Sequence, residues 1–147
     1  MNLQFWNLRG VALCTISLMV GCGGADDGHV RATGTVTYNG APLAKGEVAF
    51  VDEKGVTAAV SHIKDGSFSL EATASHPGIN PGKYEVAVSS WNREPGTVDD
   101  QGNIVAKGDP AIPEKYMNYK TSGLTATVEE SGTSSIKLEL SGEPGKK

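Results

Sequence analysis

The chain is short of the residue types on which most protein chemistry depends. Its two cysteines, Cys14 and Cys22, both lie in the N-terminal apolar segment, so the rest of the chain has no thiol pair for a disulfide or a metal centre. Stability must then come from packing, which a sandwich of about 100 residues supplies without covalent staples. Aromatic residues make up only 6% of the sequence. Arginine is scarce: after Arg9 come only Arg31 and Arg93. The formal charge of −4 is spread without a long run of either sign. A nucleic-acid surface is not expected, because neutralising phosphates requires clustered Lys and Arg. Residues 10–20 form an apolar run well short of the roughly 20 residues that a membrane-crossing helix needs. A length of 147 residues leaves room for one domain around one core.

That short apolar run has a different reading. Arg9 and the free amine precede an uncharged stretch of Val, Ala, Leu, Ile and Met, the pattern of a cleavable helical signal peptide over residues 1–21. It ends in Met19-Val20-Gly21-Cys22, which resembles the bacterial lipobox, with Met19 in place of the commoner Leu. The resemblance implies that Cys22 is the lipidation site: its thiol takes a diacylglycerol, and cleavage makes it the first residue of the mature chain. An ordinary signal peptide with an incidental Cys is the plainer alternative. Two or more acyl chains hold a protein on a membrane stably, at ~0.8 kcal/mol per buried methylene, whereas one does not. Residues 22–29, Cys-Gly-Gly-Ala-Asp-Asp-Gly-His, bury nothing and read as a flexible tether spanning roughly 15 Å. The expected location is the cell envelope, with the domain lipid-anchored close to a membrane and facing the periplasm or cell surface.

From Val30 the pattern changes to period two. Val30, Ala32, Gly34, Val36 and Tyr38 alternate with Arg31, Thr33, Thr35 and Thr37, which marks a half-buried strand. Further strands follow over 47–52, at Val56, Ala58 and Val60, at Phe68 and Leu70, at Tyr84, Val86 and Val88, at Leu124, Ala126 and Val128, and at Ile136, Leu138 and Leu140. Asn39-Gly40, Lys54-Gly55 and Asp65-Gly66 supply turn residues between them. No stretch after Cys22 places apolar residues at helical spacing over three turns. The expected fold is all-β, a two-layer antiparallel β-sandwich of about seven strands over residues 30–141, with a flexible tail over 142–147.

The run from Gly34 through Asn39-Gly40-Ala41-Pro42-Leu43 to Phe50, then Asp65-Gly66-Ser67-Phe68 and Pro81-Gly82-Lys83-Tyr84-Glu85-Val86, resembles the carboxypeptidase regulatory-like domains. That resemblance implies a transthyretin-like, prealbumin-type sandwich. Ile112-Pro113-Glu114-Lys115-Tyr116 with Thr121-Ser122-Gly123-Leu124-Thr125 resembles small lipoproteins abundant in planctomycetes. These motifs speak for a fold rather than an activity, because each is also what a turn or a core anchor requires. The hydroxyisourate hydrolases among transthyretin-like proteins end in Tyr-Arg-Gly-Ser, whereas this chain ends Ser141-Gly-Glu-Pro-Gly-Lys-Lys. Intradiol dioxygenases, on a related sandwich, need paired Tyr and His ligands for iron, and Tyr116 and Tyr119 have no suitable histidine pair.

The search for a site leaves few candidates. His29, His62 and His76 have no metal-ligand spacing, and no serine sits in a Gly-x-Ser-x-Gly elbow. Residues 92–111 are too long for a plain connection and contain Asp99-Asp100-Gln101-Gly102-Asn103, with Asp109 beyond. These are oxygen ligands of the kind calcium accepts, but a solvated acidic loop is the simpler reading. Trp91, Tyr116 and Tyr119 are candidates for an enzymatic pocket or a sugar-stacking platform. The expectation is a noncatalytic module without a cofactor, attached to a membrane through Cys22, with an envelope protein or glycan as partner. A hydrolase of unrecognised type and a carbohydrate-binding module are the alternatives, and the oligomeric state is open.

Overall fold

The computed structural model describes residues 28–70, 78–104 and 107–144. The expected signal peptide, Cys22, the expected tether up to residue 27, His76 and the last three residues lie outside them. The described residues form ten strands: β1 (Ala32–Tyr38), β2 (Ala41–Pro42), β3 (Lys45–Val51), β4 (Thr57–Lys64), β5 (Ser67–Leu70), β6 (Gly82–Ser89), β7 (Trp91–Arg93), β8 (Asp109–Pro110), β9 (Leu124–Val128) and β10 (Thr133–Leu140). A short 3-10 helix, Glu114–Met117, and the single turn of α1, Tyr119–Ser122, lie between β8 and β9.

Eight strands belong to one curled sheet of order β10-β1-β5-β4-β3-β6-β9, with β2 hydrogen-bonded to β1. β4 and β5 share a single register pair, Lys64 with Ser67, and there the sheet folds over. β10, β1 and β5 make one layer; β4, β3, β6 and β9 make the other. Asn39-Gly40 and Asp65-Gly66 run through positive φ at both residues, as the primed hairpin turns require.

The sandwich is antiparallel as expected with one exception: β10 runs parallel to β1. The connection from β9 to β10 passes from one layer to the other, so β10 arrives in the direction of β1. Close approach at this pair explains Gly34. A methyl group there would collide with the Ile136 carbonyl and the Phe68 ring.

Alternation fills the space between the layers. Val36, Phe68, Leu70, Ile136, Leu138 and Leu140 enter from one side, and Val48, Phe50, Ile63, Tyr84, Val86 and Val88 from the other. Phe50 is at the centre, its ring 5.8 Å from Phe68 and 6.1 Å from Tyr84, the latter edge-on. Tilted and edge-on pairs add about 0.5–1.5 kcal/mol each to the stabilisation from burial itself. The Tyr84 hydroxyl donates to the Asn80 carbonyl at 2.7 Å, which satisfies the one polar atom this ring brings inside. Burial, with the Asp52 charge as a smaller contribution, raises the Tyr84 phenol above its ordinary pKa.

One strand faces differently from its sequence pattern. Val56, Ala58 and Val60 read as an apolar set, but Val56 is 58% and Val60 50% exposed, and β4 buries Ile63 instead. The cause is register: Val60 lies opposite Ala49, between the inward-facing Val48 and Phe50, so the face of β4 that carries Val56, Ala58 and Val60 meets water. The alternation carries through the strand, but its apolar set is on the outward face, and a one-residue change of register would be needed to turn it inward.

The pairings also define two ends. Ala32, Leu70, Val51, Gly82, Val128 and Thr133 lie toward one end of their strands, where Val30 bridges Ile79. Tyr38, Lys45, Lys64, Ser89 and Leu140 lie toward the other. The chain enters the sandwich at the first end, and the segment after β6 leaves from the second.

Candidate functional site: a hairpin arm opposite the chain entry

The long connection after β6 is a folded arm. Buried Ser90 anchors its root, donating from Oγ to the Lys45 carbonyl at 2.8 Å. Trp91 pairs with Pro110 and Arg93 with Asp109 in a second, two-stranded sheet. Gly108 lies against the six-membered ring of Trp91 and against Pro95, where an added methyl would sit 2.8 Å from the indole and 2.6 Å from the proline. The Trp91 ring is therefore half-buried as the anchor of its own hairpin. Thr97 closes the Glu94-Pro95-Gly96 turn by donating from Oγ1 to the Glu94 carbonyl at 2.8 Å.

Farther out, Val98 and Ile104 bridge in antiparallel register. Between them Asp99 organises the tip. Its carboxylate accepts from the Gln101 amide at 3.0 Å, from the Asn103 amide at 2.8 Å and from Asn103 Nδ2 at 3.3 Å. The Asn103 backbone donor is the main reason its pKa is lowered. Carboxylates that accept backbone N–H bonds in this way commonly close turns. At the base of this closed turn Val98 and Ile104 stand 64% and 73% exposed, side by side.

The arm separates residues that the sequence placed in one candidate set. Asp109 is at the base, with Asn92 Nδ2 3.5 Å from its carboxylate, while Asp99 is at the tip. The Glu94-Pro95-Gly96 turn lies between the two rows on the outgoing leg. Among the described residues no three His, Cys, Asp or Glu side chains come together as a metal-binding group.

The aromatic candidates are likewise dispersed. Tyr116 is buried, with its hydroxyl on the backbone of Ser141 and the Lys115 ammonium 4.6 Å from its ring centre. Its pKa is lowered, chiefly because the Ser141 amide donates to the phenol oxygen. Tyr119 is half-buried beside the Lys54-Gly55 turn, where a methyl at Gly55 would lie 3.1 Å from its hydroxyl. His62 is exposed on β4 and pairs across the strands with exposed Glu47, Nδ1 to Oε1 at 3.3 Å. Exposed pairs of this kind contribute little.

One feature had a weak signal in the sequence and another had none. The arm was visible as a loop too long for a connection, and Pro95-Gly96 with Asp99 and Gly102-Asn103 marks its two turns. The contact of Tyr116 with Ser141, 25 residues apart, has no local signature. Compared with protein-family models and with curated proteins, the chain matches none.

Proposed function

We propose that the chain is a noncatalytic, lipid-anchored module of the cell envelope, a carboxypeptidase regulatory-like sandwich held to a membrane through Cys22, whose arm is its binding element. The observation that carries this reading is the pre-closed hairpin with Val98 and Ile104 exposed at its tip, rooted at the end opposite the chain entry. A tether of eight residues keeps the entry end near the lipid, so the arm faces away from the membrane. A turn already closed by the Asp99 carboxylate loses little further entropy on binding, which favours recognition of a protein surface. Loops carried on a rigid scaffold commonly take this role. Supporting the noncatalytic reading, His62, Trp91, Tyr116 and Tyr119 each have their own structural partners on separate elements.

Two measurements divide the proposal. A fatty-acid probe should label the wild-type chain and leave Cys22→Ala unlabelled; equal labelling would refute the anchor. Photo-cross-linking from position 98 or 104 in whole envelopes should yield a discrete adduct that is lost when residues 94–107 are replaced by a two-residue turn. No discrete adduct would refute the arm as binding element while leaving the anchor standing.

A further inference from the structure

The two residues after β10 are hydrogen-bonded through both their amides and both their carbonyls. Leu140 accepts from the Asn39 amide at 2.9 Å. The Ser141 amide donates to Tyr116 Oη at 3.0 Å, and that hydroxyl donates back to the Ser141 carbonyl at 3.2 Å. The Gly142 amide donates to Asn39 Oδ1 at 3.1 Å. The Gly142 carbonyl accepts from the Tyr38 hydroxyl at 2.7 Å and from Asn39 Nδ2 at 3.3 Å. Two sites far apart in sequence converge on this dipeptide: the end of β1 with its turn, and the 3-10 helix. The expected tail boundary at 142 thus falls inside a bonded segment.

The 3-10 helix is also the landing of the arm. From Pro110 the chain passes through Ala111, whose amide donates to the Ser90 carbonyl at 2.9 Å, to buried Ile112 and Pro113, and Tyr116 closes the turn through its amide to the Pro113 carbonyl at 3.1 Å. Lys107 on the returning leg lies 3.7 Å from Glu114. A position fixed at Tyr116 is therefore passed back to the arm root over six residues of chain.

We infer that Ser141–Gly142 is a clasp that sets the stance of the arm, so that the C-terminal end of the chain and the hairpin tip are coupled through Tyr116. The physical basis is an asymmetry. The sandwich keeps its ladder and core without the clasp, whereas the 111–117 segment, which belongs to no sheet beyond Pro110, is left with the Ala111 bond, its own turn, the Thr121 hydroxyl on the Lys115 carbonyl at 2.7 Å, the Lys107–Glu114 pair and the burial of Ile112, Pro113 and Tyr116. Coupling of this kind is reciprocal: whatever engages the chain beyond Gly142 shifts the arm, and a partner on the arm shifts the chain end.

Hydrogen exchange on the full chain tests it, with Asn39→Gly and Tyr116→Phe combined. The glycine keeps the left-handed backbone of Asn39, whose φ is 50°, and the phenylalanine keeps the buried ring, so the Asn39 and Tyr116 side-chain bonds are removed with little else, and only the Tyr38 bond to the Gly142 carbonyl stays. Protection of the Ala111 and Tyr116 amides should fall at least about tenfold, the size expected for losing one or two net hydrogen bonds, while Val86 and Val88 in β6 are unchanged. Unmoved Ala111 and Tyr116 amides would overturn the clasp. So would a uniform loss over all strands, which would mean that the bonds serve global stability alone. Tyr38→Phe, lacking one bond, should move the same two amides by a smaller factor and serves if the double variant does not fold.

Discussion

The sandwich and its arm are built from the same chain by opposite means. The sandwich relies on apolar burial: Phe50, Val36, Val48, Val86 and Val88 are fully enclosed, and its few buried polar groups, such as the Ser122 hydroxyl donating to the Val86 carbonyl at 2.6 Å, are satisfied. The arm encloses almost nothing and relies on turn chemistry, one indole and one carboxylate. Burial is cooperative over the whole core, so the sandwich should unfold as a unit, whereas hydrogen bonds within a hairpin open locally. The difference separates stability from presentation, and it allows the arm to change without loss of the fold.

The largest expected effect comes from the centre of the core. Phe50→Ala should cost about 3–5 kcal/mol in denaturant unfolding and take the arm down with the sandwich. Arm protection that survives where the sandwich has unfolded would show that the arm does not depend on the core. Gly34→Ala should follow, at about 1–3 kcal/mol, because the methyl drives β10 and Phe68 apart. A stability equal to wild type would mean that the parallel β1–β10 pair has slack.

Alkaline pH sharpens the contrast next. Because the folded state holds the Tyr84 proton above the ordinary phenol value of 10.0, the unfolded chain loses that proton first. Stability should therefore decline as pH rises past 10, and Tyr84→Phe should flatten the decline. Tyr116, shifted downward, acts in the opposite sense and is resolved by comparing Tyr116→Phe in the same titration.

The smallest effect on the sandwich belongs to Asp99→Ala. It should leave the unfolding midpoint within error while exchange at the Gln101 and Asn103 amides speeds up, since those two donors lose their acceptor. The lowered Asp99 pKa gives the same test through pH. Tip closure is present above the ordinary carboxylate value and is lost as pH falls through the depressed one. A shift of the whole unfolding curve in Asp99→Ala would join the arm to the core after all.

Much of the fold was legible beforehand because strands declare themselves locally. Val36, Phe68, Tyr84, Val86 and Leu138 alternate with polar neighbours, and each occupies the core. Asn39-Gly40 and Asp65-Gly66 turn as their backbone preferences require. Legibility ended at β4, where the pairing of Val60 with Ala49 turns the apolar set of Val56, Ala58 and Val60 to solvent. The candidate site was less legible still. Composition marked 92–111 as unusual, but its division into a base held by Trp91 and Gly108 and a tip closed by Asp99 depends on which residues meet across the hairpin.

Period-two alternation and turn residues, properties of a few adjacent positions, by themselves determined that this chain makes strands and where most of them turn. Only the tertiary structure decided that β10 lies parallel to β1, that Val60 faces water, and that Ser141 and Gly142 close on Tyr38, Asn39 and Tyr116. Contacts between residues 25 or more than 100 positions apart form only when the two layers bring their ends together, and no local preference of the chain encodes them.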